Sequence, residues 1–266
     1  MTTTLRETNL RDAVLLERIE ASAGRTFALR RARAAVEVAQ PDLRRLMRGG
    51  WIRRAGRGFY TITARPQLAG EDRLRLATAP YEGQLHYVSW WAALAYHDLT
   101  EQDPLRICVA VQARRRERGV GALRVRPVLQ ASARFYGFET IRLPSGASIR
   151  VATPEKAIID CLDRPDLGGG LPEIAKAFRI TWAYDAGKLV RLARRHPSKA
   201  LIARLGYLMT VLVIGDPTPL RGRVRRKGPP VALDLLAPPT EPGILDSTWR
   251  VFDNIGPVTL HQWADR

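Results

Sequence analysis

Apolar positions recur at helical spacing three times within the first fifty residues and then give way to a strand-like pattern. Leu15, Leu16 and Ile19 form the apolar side of a first helix, with Asn9 and Asp12 placed to cap its start and Gly24 to end it. Leu29, Ala32, Val36 and Ala39 do the same for a second helix, leaving Arg30, Arg31 and Arg33 to face away. Residues 38–40 predict the turn that follows. Pro41 suits the first position of a third helix, where its missing N–H would lack a partner in any case. Within that helix Leu43, Leu46 and Met47 point inward, so Asp42, Arg44, Arg45 and Arg48 point outward; Gly49 and Gly50 stop it. Residues 51–54, 55–58 and 59–63 then read as strand, turn and strand.

A different pattern begins after residue 80. Residues 64–80 hold Pro66, Gly70 and Pro80 around a charged run and predict a linker or a bridging helix. Residues 84–98 are apolar enough for a buried helix capped by Ser89. Strands are expected at 105–111, 122–128, 133–143 and 148–152. Thr153 caps a helix whose first residue is Pro154 and whose Ala157, Ile158, Ile159 and Leu162 face a core. A loop at 166–170 and a helix from 171 to 178 follow. From Asp185 onward the spacing is helical, through Leu189, Val190, Leu192 and Ala193 and again over 200–214. The tail is rich in Pro and Gly, with strands expected at 230–236 and 247–251. Strands followed by helices, without strict alternation, predict an α+β domain.

Composition narrows the function classes. An apolar content of 45% is that of a folded core, and no run of about 18 apolar residues is present to span a bilayer. The N-terminus lacks the apolar stretch of a secretory signal, so a cytoplasmic protein is expected. Cys108 and Cys161 stand far from any Cys or His at ligand spacing and read as reduced core thiols. His86, His97, His196 and His261 form no metal pattern; the first two fall on or near one apolar helix. No metal and no cofactor is expected.

Charge changes the picture most. Lys and Arg number 43 against 26 Asp and Glu, a net +17, which points to a polyanion partner. Eleven arginines and two acids fall between Arg25 and Arg65. A short basic helix followed by an arginine-bearing hairpin predicts a winged helix-turn-helix, in which the helix enters a DNA major groove and the hairpin grips flanking phosphates. Gln40, Arg44, Arg45 and Arg48 on the helix and Arg53, Arg54 and Arg57 on the hairpin are the candidate DNA contacts. The plainer alternatives are a solvated helix face and charge that guards an edge strand. Further nucleic-acid candidates are Arg30 and Arg31, the run at Arg114, Arg115 and Arg116, and the run at Arg223, Arg225 and Arg226, though such runs are often only solvated loops. Glu155, Asp160 and Asp163 would suit a metal-dependent nuclease, but one helix explains them. Glu155 lies in its first turn, and Lys156 and Asp160 are an i, i+4 pair. Gly168-Gly-Gly170 lacks the Lys-Ser/Thr of a phosphate-binding loop.

Several segments in fixed order give the chain a resemblance. They are Gly50-Trp-Ile-Arg with Arg57-Gly-Phe-Tyr60, the stretch from His86-Tyr-Val-Ser-Trp-Trp to His97-Asp-Leu, and Val151-Ala-Thr-Pro-Glu-Lys-Ala-Ile-Ile-Asp-Cys161-Leu162. The Gly-Gly loop at 168–170, Leu205-Gly-Tyr-Leu208 and Trp249-Arg-Val-Phe-Asp-Asn254 complete the set. The sequence resembles the AbiEi-type antitoxins of bacterial abortive-infection toxin–antitoxin systems. That resemblance implies a winged-helix DNA-binding domain over residues 1–66, a linker over 67–80 and a larger α+β antitoxin domain over 81–266, strand-rich to about residue 180 and helical beyond. It implies a repressor of its own operon that binds inverted repeats in promoter DNA. It also implies a nucleotidyltransferase-like toxin, counteracted in many members without a stable complex, and no enzymatic activity. The rivals are a winged-helix regulator with a ligand-sensing domain and a DNA-targeted metal-dependent nuclease.

Overall fold

The computed structural model describes residues 10–63, 70–120, 123–143, 147–224, 227–237 and 243–265. Asn9 lies outside these residues, as do the side chain of Asp12 and the start of the expected linker.

The N-terminal region runs α1 (Leu10–Ala23), β1 (Thr26–Ala28), α2 (Leu29–Val36), α3 (Gln40–Arg48), β2 (Ile52–Gly56) and β3 (Phe59–Ile62). Its strands form an antiparallel sheet in the order β1-β3-β2. The helix spacing read from sequence has a direct counterpart in the core: Ile19, Ala32, Val36, Leu43, Leu46 and Ile52 are buried together, with Phe27 stacked on Tyr60 at 6.0 Å. Glu37 adopts a left-handed conformation with φ of 53° and makes the turn between α2 and α3. Gly58, at φ +79°, supplies the tight reversal of the β2–β3 hairpin, where a residue with a side chain would be strained. One inward assignment fails. Met47 is 40% exposed, because a nine-residue helix turns only Leu43 and Leu46 onto the core and the next position is rotated by about 100°.

The larger region begins with α4 (Gly70–Thr78), whose Leu74, Leu76 and Ala77 are buried in its core. Then come β4 (His86–Ser89), α5 (Trp91–Tyr96), β5 (Arg106–Val111), β6 (Arg118–Val120), β7 (Leu123–Leu129), β8 (Phe138–Arg142) and β9 (Ser148–Ala152). These strands make one mixed sheet in the order β6-β7-β5-β4-β9-β8, with β4–β9 and β5–β7 parallel. Helices α6 (Pro154–Asp163), α7 (Gly170–Arg179), α8 (Ala186–Ala193) and α9 (Lys199–Val211) follow. A second small sheet has the order β10-β12-β11, from β10 (Val231–Ala232), β11 (Ile244–Asp246) and β12 (Val251–Asp253), and α10 (Pro257–Ala264) packs on α7. The whole is a mixed α+β structure with several sheets.

Several boundaries differ from expectation. Residues 86–89 are a strand, not the start of a helix, and Ser89 caps nothing: its hydroxyl donates to Asp160 Oδ2 at 2.6 Å. The chain reverses at Trp90, with φ 56° and ψ −142°, before α5 begins. His86 is therefore on β4 and His97 at the end of α5, not on one helix. The strand expected at 133–143 is shortened by a 3-10 turn at Ser132–Arg134, and the tail strands are shifted to β10, β11 and β12. Thr153 does cap α6, accepting from the Lys156 N–H, and Asp185 and Ser198 cap α8 and α9 likewise. Gly206 on α9 is required by packing: a Cβ there would lie 2.2 Å from the Trp249 ring, which is fully buried against the helix.

Candidate nucleic-acid interface

The scaffold for the candidate surface is α3 and the β2–β3 hairpin, tied together by backbone. Trp51 N–H donates to Leu46 O and Thr63 N–H to Trp51 O, both at 2.9 Å, so the hairpin leaves the helix end at a fixed angle. Burial of Leu43 and Leu46 turns Arg44 and Arg48 to solvent, and Arg53, Arg54 and Arg57 are exposed on the hairpin. None of these five meets an acidic side chain among the described residues; Arg54 Nε donates to Gly56 O at 3.3 Å within its own turn. Such arginines keep their donors for phosphate or base edges, all but the one that Arg54 gives to its own turn.

Two other candidates on the helix are more constrained. Arg45 is half-buried and pairs with Asp42 at 2.8 Å. Gln40 is exposed, and its side-chain oxygen accepts from Arg33.

Arg30 and Arg31 depart from their expected outward role. Arg31 pairs with Glu82 at 2.9 Å, and Arg30 donates to Ala79 O at 3.3 Å. Both therefore fasten α2 to the segment after α4, because that segment folds back over β1. Arg75 of α4, 3% exposed, lies against Gly24, where a Cβ would meet its guanidinium at 0.9 Å. Ala55 and Phe59 of the hairpin also join the larger core, and β2 lies beside β6. The two regions are packed on one another and not merely joined.

The remaining basic candidates are scattered. Arg114 and Arg116 are exposed between β5 and β6, while Arg115 donates to Gln84 at 3.0 Å. Arg223 ends a 3-10 turn and reaches His196 O at 3.5 Å; Arg225 and Arg226 lie outside the described residues.

The acidic residues that would serve a nuclease are each engaged by a cation. Glu155 is buried, meets Lys188 Nζ at 2.9 Å and accepts from the Asp185 N–H at 3.1 Å. Burial alone would push its carboxyl up, but those two contacts outweigh it and hold it below the ordinary carboxylate range. Asp160 pairs with fully buried Lys156 and also accepts from Ser89 and from Tyr87, the latter at 3.3 Å. Asp163 pairs with Arg134, and burial keeps its carboxyl above the ordinary range. Three of the four histidines are set by burial too. Burial lowers His86, His97 and His196, the last to about 3, and His97 Nε2 lies 2.7 Å from Ala152 O. Cys108 and Cys161 are free thiols, both buried and both pushed up by that burial. Among the described residues no cluster of His, Cys, Asp or Glu could hold a metal ion, and no helix is long and apolar enough to cross a membrane.

The buried Lys156–Asp160–Ser89 cluster is what the sequence reading missed. Its only local signal was the i, i+4 spacing of Lys156 and Asp160; the strand that brings Ser89 to it is 71 residues away.

The geometry defines a class: a basic helix-and-hairpin surface packed on a larger α+β domain that has a charge-paired interior. The larger domain carries the identification. Residues 87–211 match the model of the AbiEi antitoxin C-terminal domain, and that match supports an AbiEi-type antitoxin with an antitoxin role in a toxin–antitoxin system. The AbiEi antitoxins are not a family of enzymes, and an antitoxin implies a toxin as its partner. The fold is similar to that in the crystal structure of the RV2827C protein from Mycobacterium tuberculosis, with a TM-score of 0.64, 13% identity and 95% of each chain covered. No curated protein matches the sequence.

Proposed function

We propose that this protein is an AbiEi-type antitoxin that is also a DNA-binding repressor of its own operon. The N-terminal region, residues 1–66 by sequence, acts as a winged helix-turn-helix: α3 is the recognition helix and the β2–β3 hairpin the wing. One observation carries the reading. Arg44, Arg48, Arg53, Arg54 and Arg57 project from one helix-and-hairpin unit and have no acidic partner among the described residues. A nine-residue helix is about 13 Å long, which matches the width of a major groove. On this reading Arg44 and Arg48 face base edges while the wing arginines neutralise adjacent phosphates. One such module reads only a few base pairs, so useful specificity calls for two copies on an inverted repeat in the promoter.

The domain over residues 81–266 carries the neutralising activity, directed at a nucleotidyltransferase-like toxin, with abortive infection as the phage-defence outcome and the cytoplasm as its place. A gel shift with the operon's upstream DNA tests the first half. Replacing Arg44 and Arg48 with Ala is expected to abolish preference for the operator; unchanged preference would remove α3 from the recognition role. Co-expression with the adjacent toxin gene tests the second half, since growth must depend on this chain.

A further inference from the structure

Away from the helix-and-hairpin surface, the face of the six-stranded sheet that carries Ser89 and Cys108 holds a second concentration of arginine. Arg106 on β5 is in register with Arg124 on β7, and Cys108 with Arg126, so all four side chains rise from the same face. Arg106 meets Glu117 at 3.8 Å, and Arg164 nearby is held by both oxygens of Asp166 at 2.8 Å. Arg126 differs: it is half-buried and has no hydrogen bond or ion pair among the described residues. Beside it opens a cavity of about 350 Å3 with Trp91, Leu105, Arg106, Cys108 and Asp166 in its wall. Arg126 stands next to the cavity through its register partner Cys108, which is in the wall, and its charge helps to hold the Asp166 carboxyl low.

The aromatic wall is held in place. Trp91 backs onto Gly169, where a Cβ would come within 3.0 Å of the indole, so the absence of a side chain there seats the ring. The indole N–H has no acceptor among the described residues. Leu105 at the cavity is 73% exposed, an apolar surface with nothing over it.

We propose that this cavity binds a mononucleotide, with the base against Trp91 and the phosphate at the Arg106 side of the mouth, within reach of Arg126 on the neighbouring strand. An aromatic face accepts any base by stacking, and a guanidinium fork matches phosphate oxygens. The volume sits at the small end of the range for small-molecule sites, roughly 300–1,000 Å3, which suits one nucleotide and not an oligonucleotide. A purely apolar ligand would leave the guanidinium groups of Arg106 and Arg126 beside the cavity unused. Inorganic phosphate alone would leave Trp91 and Leu105 uncovered. The inference does not rest on the DNA-binding reading, and either stands if the other fails.

Titration calorimetry of the full chain with the four nucleoside 5′-monophosphates, and with inorganic phosphate, tests it. At least one nucleotide is expected to bind one-to-one and more tightly than phosphate. Arg126→Gln and Trp91→Leu are each expected to weaken it at least about tenfold. Leu105→Trp, at a surface position that a larger side chain would use to fill the cavity, should block it, and this variant decides the matter if Trp91→Leu fails to fold. Arg57→Gln, on the β2–β3 hairpin and outside the cavity wall, should leave the affinity unchanged. No binding at millimolar nucleotide, phosphate binding as tightly as any nucleotide, or an Arg57→Gln loss equal to that of Arg126→Gln would each overturn the proposal.

Discussion

The N-terminal and C-terminal regions deploy charged side chains in opposite ways. In the first, Arg44, Arg48, Arg53, Arg54 and Arg57 stand in solvent, and among the described residues the core beneath them buries no charge, only apolar groups such as Ile19, Leu43, Leu46 and Ile52 and the paired hydroxyls of Thr26 and Thr61. In the second, Lys156 and Asp160 are 0% and 1% exposed, and Glu155, His196 and Asp253 are buried with them. Surface charge without partners contributes little to folding and is available to a ligand. Buried charge is costly unless paired, so its pairing fixes which strand meets which helix, here β4 against α6 through Ser89 and Asp160. The difference teaches where each kind of substitution should register: binding for the first region, folding for the second.

The largest effect tests the buried side of that contrast. Lys156→Ala leaves Asp160 charged and enclosed, and should cost about 3–5 kcal/mol in a denaturant titration. Arg44→Ala, in the same experiment, should change stability by no more than about 0.5 kcal/mol. Replacing both Lys156 and Asp160 with apolar residues should recover part of the loss, less what Ser89 and Tyr87 lose as donors without an acceptor. A loss below about 1 kcal/mol for Lys156→Ala would show that water or relaxation reaches the pair, and the contrast between regions would collapse.

The same contrast explains what could be read from sequence. Helix α3 and its hairpin were legible because their signals are local: Pro41 starts the helix, Gly49 and Gly50 end it, and Gly58 turns the hairpin. The start of α6 at Thr153 and Pro154 was legible for the same reason. Strand β4 was not. His86-Tyr-Val-Ser89 is buried at all four positions and runs straight into an apolar helix, so no period separates the two; only the reversal at Trp90 does. The partners of Arg31 and Ser89 are 51 and 71 residues away, and no spacing rule reaches that far. Exposure of candidate arginines was therefore predictable only where no distant acid came to meet them.

Next in size is the binding side. Arg44→Ala should cost about 1–3 kcal/mol on the preferred operator and much less on unrelated DNA, as measured by fluorescence anisotropy. Arg45→Ala should cost less than Arg44→Ala, because Arg45 is already held by Asp42. Equal losses would mean that the pair opens on binding and that the free structure understates the surface.

Acid should then discriminate between the regions. Burial lowers His196 from 6.5 to about 3, with Arg134 and Lys156 adding to the effect. A depressed folded-state value means full stability above the unfolded pKa and a progressive loss as pH falls from 6.5 toward 3, because the unfolded chain takes up the proton first. At pH 5 that amounts to about 2 kcal/mol. His196→Gln should remove about that much of the difference between melts at pH 7 and pH 5. An undiminished difference would assign acid sensitivity to other groups.

The smallest effect is the most specific to the N-terminal region. Arg57 sits at the tip of the hairpin, beside Gly58, exposed and without a partner among the described residues. A wing arginine that meets one phosphate displaces about one counterion, so the slope of log affinity against log salt should fall by about 0.9 in Arg57→Ala. The loss should be the same on operator and unrelated DNA, because a phosphate contact carries no sequence information. Arg115→Ala is the matching control in the C-terminal region, since Arg115 is already bonded to Gln84. A slope unchanged for Arg57 and reduced for Arg115 would move the phosphate-tracking surface from the hairpin to the loop before β6. The division of labour between the two regions would then be redrawn around that loop.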